Sequence, residues 1–198
     1  MPDDIIAELF NTSLIEWLAV SFGVLYVFLA AYKLRLCWIA AMISTALFTF
    51  LCLKALLYIE ASLQVFYFIM AIYGWWLWTK DQDKKLPIRR WPWRYHVWNV
   101  LLSSGIALLL GYFTDNYTDQ ANPYLDAFTT VFSLLATFMV AKRILENWLY
   151  WVAIDTGLIF LYGSKGYVLT AIQYGFFAVI ALFAWWKWYS FYKSQRII

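Results

Sequence analysis

Apolar residues in this chain gather into seven stretches, at 14–32, 38–57, 61–79, 97–113, 125–141, 147–163 and 167–189, joined by connections mostly too short to hold a soluble domain. A helix of such a length covers the ~30 Å hydrocarbon core of a bilayer. In hydrocarbon the backbone must satisfy its own hydrogen bonds, so spans this long are helical. The chain therefore reads as an all-α integral membrane protein with seven transmembrane helices. Composition agrees, because 64% of residues are hydrophobic and only 14% are charged.

With seven spans the termini lie on opposite sides, which makes the basic residues a test of topology. Lys33, Arg35, Lys80, Lys84, Lys85, Arg89, Arg90, Arg94, Lys142, Arg143, Lys187, Lys193 and Arg196 fall on one side, and only Lys54 and Lys165 on the other. Positive residues are retained in the cytoplasm, so the expected topology has the N-terminus outside and the C-terminus cytoplasmic. Asp3, Asp4 and Glu8 stand near the N-terminus without Lys or Arg, so the first apolar run is read as a retained span and not as a cleaved signal. The longest loop, 80–96, is basic and aromatic with Pro87 and Pro92 as breakers, and is expected to lie on a membrane surface. A net charge of +3 gives no reason to expect nucleic acid. Cys37 and Cys52 lack a CxxC spacing, and His96 is the single histidine, so no metal site or cofactor is expected. Neither HExxH nor GxSxG occurs, which argues against an integral-membrane enzyme.

The chain also repeats itself. When it is laid on itself with Trp38 over Trp148, Glu16 meets Asp126, Phe28 meets Phe138, Ala61 meets Ala171, Phe66 meets Phe176, and Trp75, Trp76 and Trp78 meet Trp185, Trp186 and Trp188. The register predicts two parallel three-helix repeats, 14–79 and 124–189, joined by a linker helix at 97–113. Repeats of that kind are a transporter architecture, with substrate bound near the bilayer midplane at the repeat interface.

Asp155 is the residue such a site would be built around. It lies roughly 12 Å beyond Asn147 at helical rise, deep in the bilayer, where a carboxylate costs a few kcal/mol to insert. Trp148, Trp151 and Asp155 stand at i, i+3 and i+7, so two indoles and one acid share a helical face. Thr45 is the repeat partner of Asp155, and that broken symmetry suits an asymmetric ligand. Ser44, Gln64, Asn99, Thr156 and Gln173 are further polar groups at membrane depth, each able to bind a solute or to bridge two helices. Tyr67, Tyr73, Trp148 and Trp151 offer faces to a planar cation; the same aromatic stripe also serves ordinary packing. Glu16 and Asp126 stand where a helix N-terminus favours an acid, which suggests capping. The pattern points to a site for a flat cation, with a structural, helix-bonded Asp155 as the alternative.

Two segments carry a family resemblance: 63–78, LQVFYFIMAIYGWWLW, and 142–155, KRILENWLYWVAID, resemble the third and sixth helices of the PnuC-type vitamin transporters, and Asp126 also fits their pattern. The resemblance implies a three-plus-one-plus-three arrangement like a SWEET sugar transporter, a homotrimer in the bacterial inner membrane, and facilitated diffusion of a vitamin that a cytoplasmic kinase traps by phosphorylation. It also brings Asn147, within the ENW motif, into the candidate site beside Asp155, Trp151, Trp148, Gln64, Tyr67, Asn99, Gln173 and Thr45. Members that carry nicotinamide riboside usually have asparagine where this chain has Asp155. That departure makes the thiamine-carrying PnuT branch the expected match, with nicotinamide riboside as the alternative and a membrane vitamin sensor or enzyme as the readings of another class.

Overall fold

The computed structural model describes residues 13–56, 58–80, 87–118, 122–164 and 168–195. Its helices are α1 (Leu14–Ala31), α2 (Cys37–Lys54), α3 (Tyr58–Lys80), α4 (Trp93–Tyr117), α5 (Pro123–Ala141), α6 (Asn147–Ser164) and α7 (Val168–Gln195). By length and composition α1 to α5 can each cross a membrane. The helices α6 and α7 are 18 and 28 residues long. Lys84, Lys85, Lys165 and Arg196, used in the charge partition, and Leu57 and Tyr167, at expected span ends, lie outside the described residues.

The chain forms two compact units, 1–86 and 87–198. In the first, α1 packs on α2 and α2 on α3. Ser13 caps α1, its Oγ accepting from the Glu16 amide at 3.2 Å; the spacing is that of a capping box, with the acid in the first turn. The cap itself is Ser13, while Glu16 sits where the helix dipole favours it. At the far end of α1 the chain reverses through Lys33, whose φ is 58°. The Leu34 amide reaches the Leu29 carbonyl at 3.0 Å and the Lys33 amide reaches Ala30 at 3.0 Å. Those two bonds make a Schellman stop, closed here by lysine where glycine is usual.

The same stop ends α5 in the second unit. Arg143 has φ 61°, and the Ile144 and Arg143 amides bond to Met139 and Val140, each at 2.9 Å. In the register that pairs Trp38 with Trp148, the two motifs correspond bond for bond. That register also relates two indole pairs: Trp38 meets Trp78 edge-on at 5.5 Å and 90°, and Trp148 meets Trp188 at 5.4 Å and 88°. All four rings are buried. Gly74 runs so close beneath Trp38 that a Cβ there would lie 2.4 Å from the ring; its counterpart in the same register, Ala184, is fully buried.

In the second unit α4 packs on α5, α5 on α6 and α6 on α7. Ser103, Ala107 and Gly111 form the buried stripe of α4 at intervals of four, and small residues of this kind let two helices approach closely without the help of water. At Gly111 a Cβ would come within 2.6 Å of the Tyr124 ring of α5. Much of the remaining α4 surface is exposed and apolar, including Trp98, Leu102 and Leu109.

Candidate functional site

Helix α6 begins at the turn 142–146 and carries the residues of greatest chemical interest. Trp148 and Tyr162 face α7, the first against Trp188 and the second stacked on Tyr174 at 5.5 Å. Asp155 lies halfway between them on the same helical line, and the antiparallel register of the two ring pairs sets it level with Ala181 of α7. Both are buried, Asp155 at 4% exposure and Ala181 at 2%. Among the described residues no hydrogen bond or ion pair engages the Asp155 carboxylate. A carboxyl group at this depth without such a partner is a group that a cationic ligand could engage. Trp151, at i−4 from Asp155, is half-buried, which leaves part of its indole open to a ligand.

The expected site residues divide between the two units. Thr45 stands on α2 and Gln64 and Tyr67 on α3, in the first; Asn99 on α4, Asn147, Trp148, Trp151 and Asp155 on α6 and Gln173 on α7, in the second. Thr45 donates to its own helix at the Ala41 carbonyl, 2.8 Å. Gln64 and Tyr67 are half-buried. Asn99 donates to the Tyr95 carbonyl at 2.7 Å, one turn back. Trp148 is committed to packing against Trp188, as Trp38 is to Trp78, and its Nε1 has no hydrogen-bond acceptor. Asn147 is fully buried; its amide closes the turn on the Ile144 carbonyl at 2.6 Å, and its Oδ1 accepts nothing. Gln173 is exposed. Of the other polar groups at membrane depth, Ser44 bridges to the Ala19 carbonyl at 2.8 Å and Thr156 bonds within its own helix.

The opposite side of α6 is apolar. Leu149, Tyr150, Ala153, Ile154 and Gly157 line a cavity of about 420 Å³ with Val100 of α4 and Phe128 and Phe132 of α5. Asp155 is not among its walls. The carboxylate and this apolar groove are therefore separate features on two sides of one helix.

Sequence reasoning missed the cluster at the start of α6. Arg89 and Ile144 form a parallel bridge: the Arg89 amide donates to the Arg143 carbonyl at 2.9 Å, and the Leu145 amide donates to the Arg89 carbonyl at 2.8 Å. Glu146 accepts from Arg90 Nε at 2.7 Å and from the Trp91 amide at 3.3 Å, with His96 Nε2 3.9 Å from the same carboxylate. The bond to Glu146 pushes the already high Arg90 guanidinium pKa further up. His96 Nδ1 meets the Tyr150 hydroxyl at 3.1 Å. The described part of the 80–96 loop is thus fastened to the protein itself. The available signal was Glu146, an acid three residues after Arg143 on the side of the chain to which the basic residues were assigned.

A family model described as nicotinamide mononucleotide transporter matches residues 13–190. The nicotinamide riboside transporter PnuC of Escherichia coli (strain K12) is 24% identical over 200 residues, covering 87% of this chain and 84% of the relative. The riboflavin/roseoflavin transporter RibM of Streptomyces davaonensis is 23% identical over 145 residues, covering 69% of this chain and 66% of that one. Among solved structures, the crystal structure of the vitamin B3 transporter PnuC shares the fold, with a TM-score of 0.75 at 19% identity, over 96% of this chain and 87% of the other.

Proposed function

Since the chain belongs to the nicotinamide mononucleotide transporter family, we propose that it carries nicotinamide riboside across a bacterial inner membrane by facilitated diffusion, and that it is not an enzyme. The likeness to a nicotinamide riboside transporter over most of both chains favours this vitamin over thiamine, the one expected from sequence. The observation that carries the reading is the buried Asp155 carboxylate, with no described partner, one turn from a half-open indole. A pyridinium ring is flat and positively charged. Asp155 supplies the counter-charge and Trp151 a face to stack on. Trp148 serves this site by holding α6 against α7. Diffusion down a gradient needs a sink, and phosphorylation by a cytoplasmic kinase would provide one. The N-out orientation, from the positive-inside rule, and a homotrimeric assembly, from the family resemblance, belong to the same proposal.

Thiamine is retained as a second reading because of Asp155 itself, which stands where the resemblance expects asparagine in riboside carriers. A thiazolium is also a flat cation. Riboflavin, the ligand in the name of the Streptomyces relative, is uncharged and leaves the carboxylate without a counter-charge. The deciding experiment is calorimetric titration of the detergent-purified protein with nicotinamide riboside and with thiamine, followed by uptake into liposomes that contain only this chain. Saturable uptake of nicotinamide riboside, competed weakly by thiamine, is expected. Binding of thiamine alone would replace the main reading by the second, and uptake of neither would overturn transport of both.

A further inference from the structure

We propose that residues 88–91 are a staple that fastens α4 to the second three-helix repeat, with Glu146 as its positioning residue, so that α4 moves with α5, α6 and α7 as one body. Four consecutive residues take hold of three partners. Ile88 is buried and its amide donates to Gln195 Oε1 at the end of α7, 3.1 Å away. Arg89 pairs on both sides with the α5–α6 turn. Arg90 and Trp91 donate to Glu146, and the Arg90 guanidinium also lies 6.0 Å from the Tyr192 ring of α7. Beyond Pro92 the chain enters α4, and within its first turns His96 meets Tyr150 of α6. The staple therefore ties the start of α4 to the α5–α6 turn, α6 and α7 through the Glu146 carboxylate, two backbone hydrogen bonds and the side chains of Tyr150, Tyr192 and Gln195.

Glu146 is built for this use. It is 7% exposed, and its two oxygens are directed at Arg90, Trp91 and His96, all of which belong to the staple or to α4. In the first repeat the positions equivalent to Glu146 and Tyr150 are Leu36 and Ala40, which can make no such bonds. Glu146 immediately precedes α6, the helix that carries Trp151 and Asp155, so a loosened staple uncouples the movement of α4 from that of α6 and α7 without displacing either residue. The effect on transport rests on the function proposed above; the fastening itself does not.

Two measurements on the full chain test it. In limited trypsin digestion read by intact mass, Glu146→Ala should raise cleavage after Arg89 or Arg90 at least tenfold, because a backbone paired on both sides cannot enter a protease cleft until it is released. Arg90→Gln carries the same expectation for cleavage after Arg89 and serves if Glu146→Ala does not fold. Unchanged cleavage in whichever variant folds would overturn the staple, whether or not the protein transports anything. The second measurement uses Arg90→Cys with Glu146→Cys in a background without Cys37 and Cys52, whose own uptake sets the reference. With the thiols reduced, uptake should fall at least fivefold while the calorimetric Kd stays within twofold. Joining them with a short bifunctional thiol reagent should restore the rate. Arrest of uptake on cross-linking would mean that the contact has to open in each cycle, and the one-body proposal would fall. If the reference protein takes up neither vitamin, the transport reading fails and the trypsin arm still decides the staple.

Discussion

The helix triplets α1 to α3 and α5 to α7, which the sequence register would relate as a first and a second repeat, share a scaffold and differ in chemistry. Each ends its first helix on a left-handed basic residue with the same two Schellman hydrogen bonds. Each then buries an indole of its middle helix edge-on against a second indole on its last helix. At four positions at and along the middle helix the two part: Leu36, Cys37, Ala40 and Thr45 in the first stand where the second has Glu146, Asn147, Tyr150 and Asp155. The shared residues are those that stop and lock helices. At these four positions an acid occurs only in the second triplet, at Glu146 and Asp155, which teaches that one copy is uncharged there while the other bears the buried carboxyl group, the anchor of the 88–91 segment and, nearby, the half-buried indole of Trp151. Residues that pack should therefore respond alike in both copies, and those that bind should respond in one.

The largest effect is expected from the indoles. Trp38→Ala and Trp148→Ala each remove a fully packed ring, and losses of about 3–5 kcal/mol are usual for such truncations. Thermal unfolding in detergent should show two similar downward shifts. A drop for Trp38→Ala alone would mean that Trp148 is not the packing counterpart the geometry makes it. Next comes a substitution expected to act in one copy. Gly74→Ala forces a Cβ to within 2.4 Å of the Trp38 ring, and overpacking of this kind costs about 1–3 kcal/mol. The second repeat already holds alanine at this position, so Ala184→Gly should cost only the ~1 kcal/mol of helix propensity. Equal shifts for the two would indicate that the Trp38 ring yields easily.

At Asp155 the comparison turns from stability to binding. Asp155→Ala removes a buried carboxyl group without a described partner and should leave the unfolding temperature unchanged or slightly raised, because a buried polar group without a hydrogen bond is costly. Affinity for the cationic vitamin should fall tenfold or more, about 1.4 kcal/mol, in calorimetric titration. Thr45→Ala, at the matching position of the first repeat, should change affinity far less. A smaller loss for Asp155→Ala than for Thr45→Ala would move the counter-charge away from α6.

Among the described residues, the place and order of the helices were legible because they rest on local pattern: the length of each apolar run and the breakers between them. Helix ends were legible to within a few residues for the same reason, and α2 and α6 begin at Cys37 and Asn147, next to or at the expected first residues. What the pattern could not convey was the occupant of each face. Trp148, Trp151 and Asp155 share a line on a helical wheel, but only the position of α7 shows that Trp148 is filled by Trp188 while Trp151 is not. The staple was hidden for a different reason. Arg89 and Ile144 lie on separate connections, one before α4 and one after α5, and pair through backbone atoms, which no side-chain periodicity records. Gln64 and Asn99 show the limit at single residues: both are half-buried amides at membrane depth, and nothing in their sequence setting distinguishes a ligand contact from the local bond that Asn99 makes to Tyr95.

The smallest effect is expected where the scaffold itself differs between copies. Ser44 reaches from α2 to the Ala19 carbonyl of α1 at 2.8 Å, beside Gly23, whose missing side chain makes room for the hydroxyl. In the second repeat the positions of Ser44 and Ala19 are held by Ile154 and Thr129, so no such bond can form in that register. Interhelical hydrogen bonds within a bilayer average only about 0.6 kcal/mol, since the separated helices find other partners. Ser44→Ala should therefore lower the unfolding temperature by little, measured beside Thr45→Ala as a neighbour whose hydroxyl bonds only within its own helix. A loss of several kcal/mol would show that the first repeat depends on a polar contact where the second depends on apolar packing, and that the two scaffolds are less alike than their tryptophans suggest.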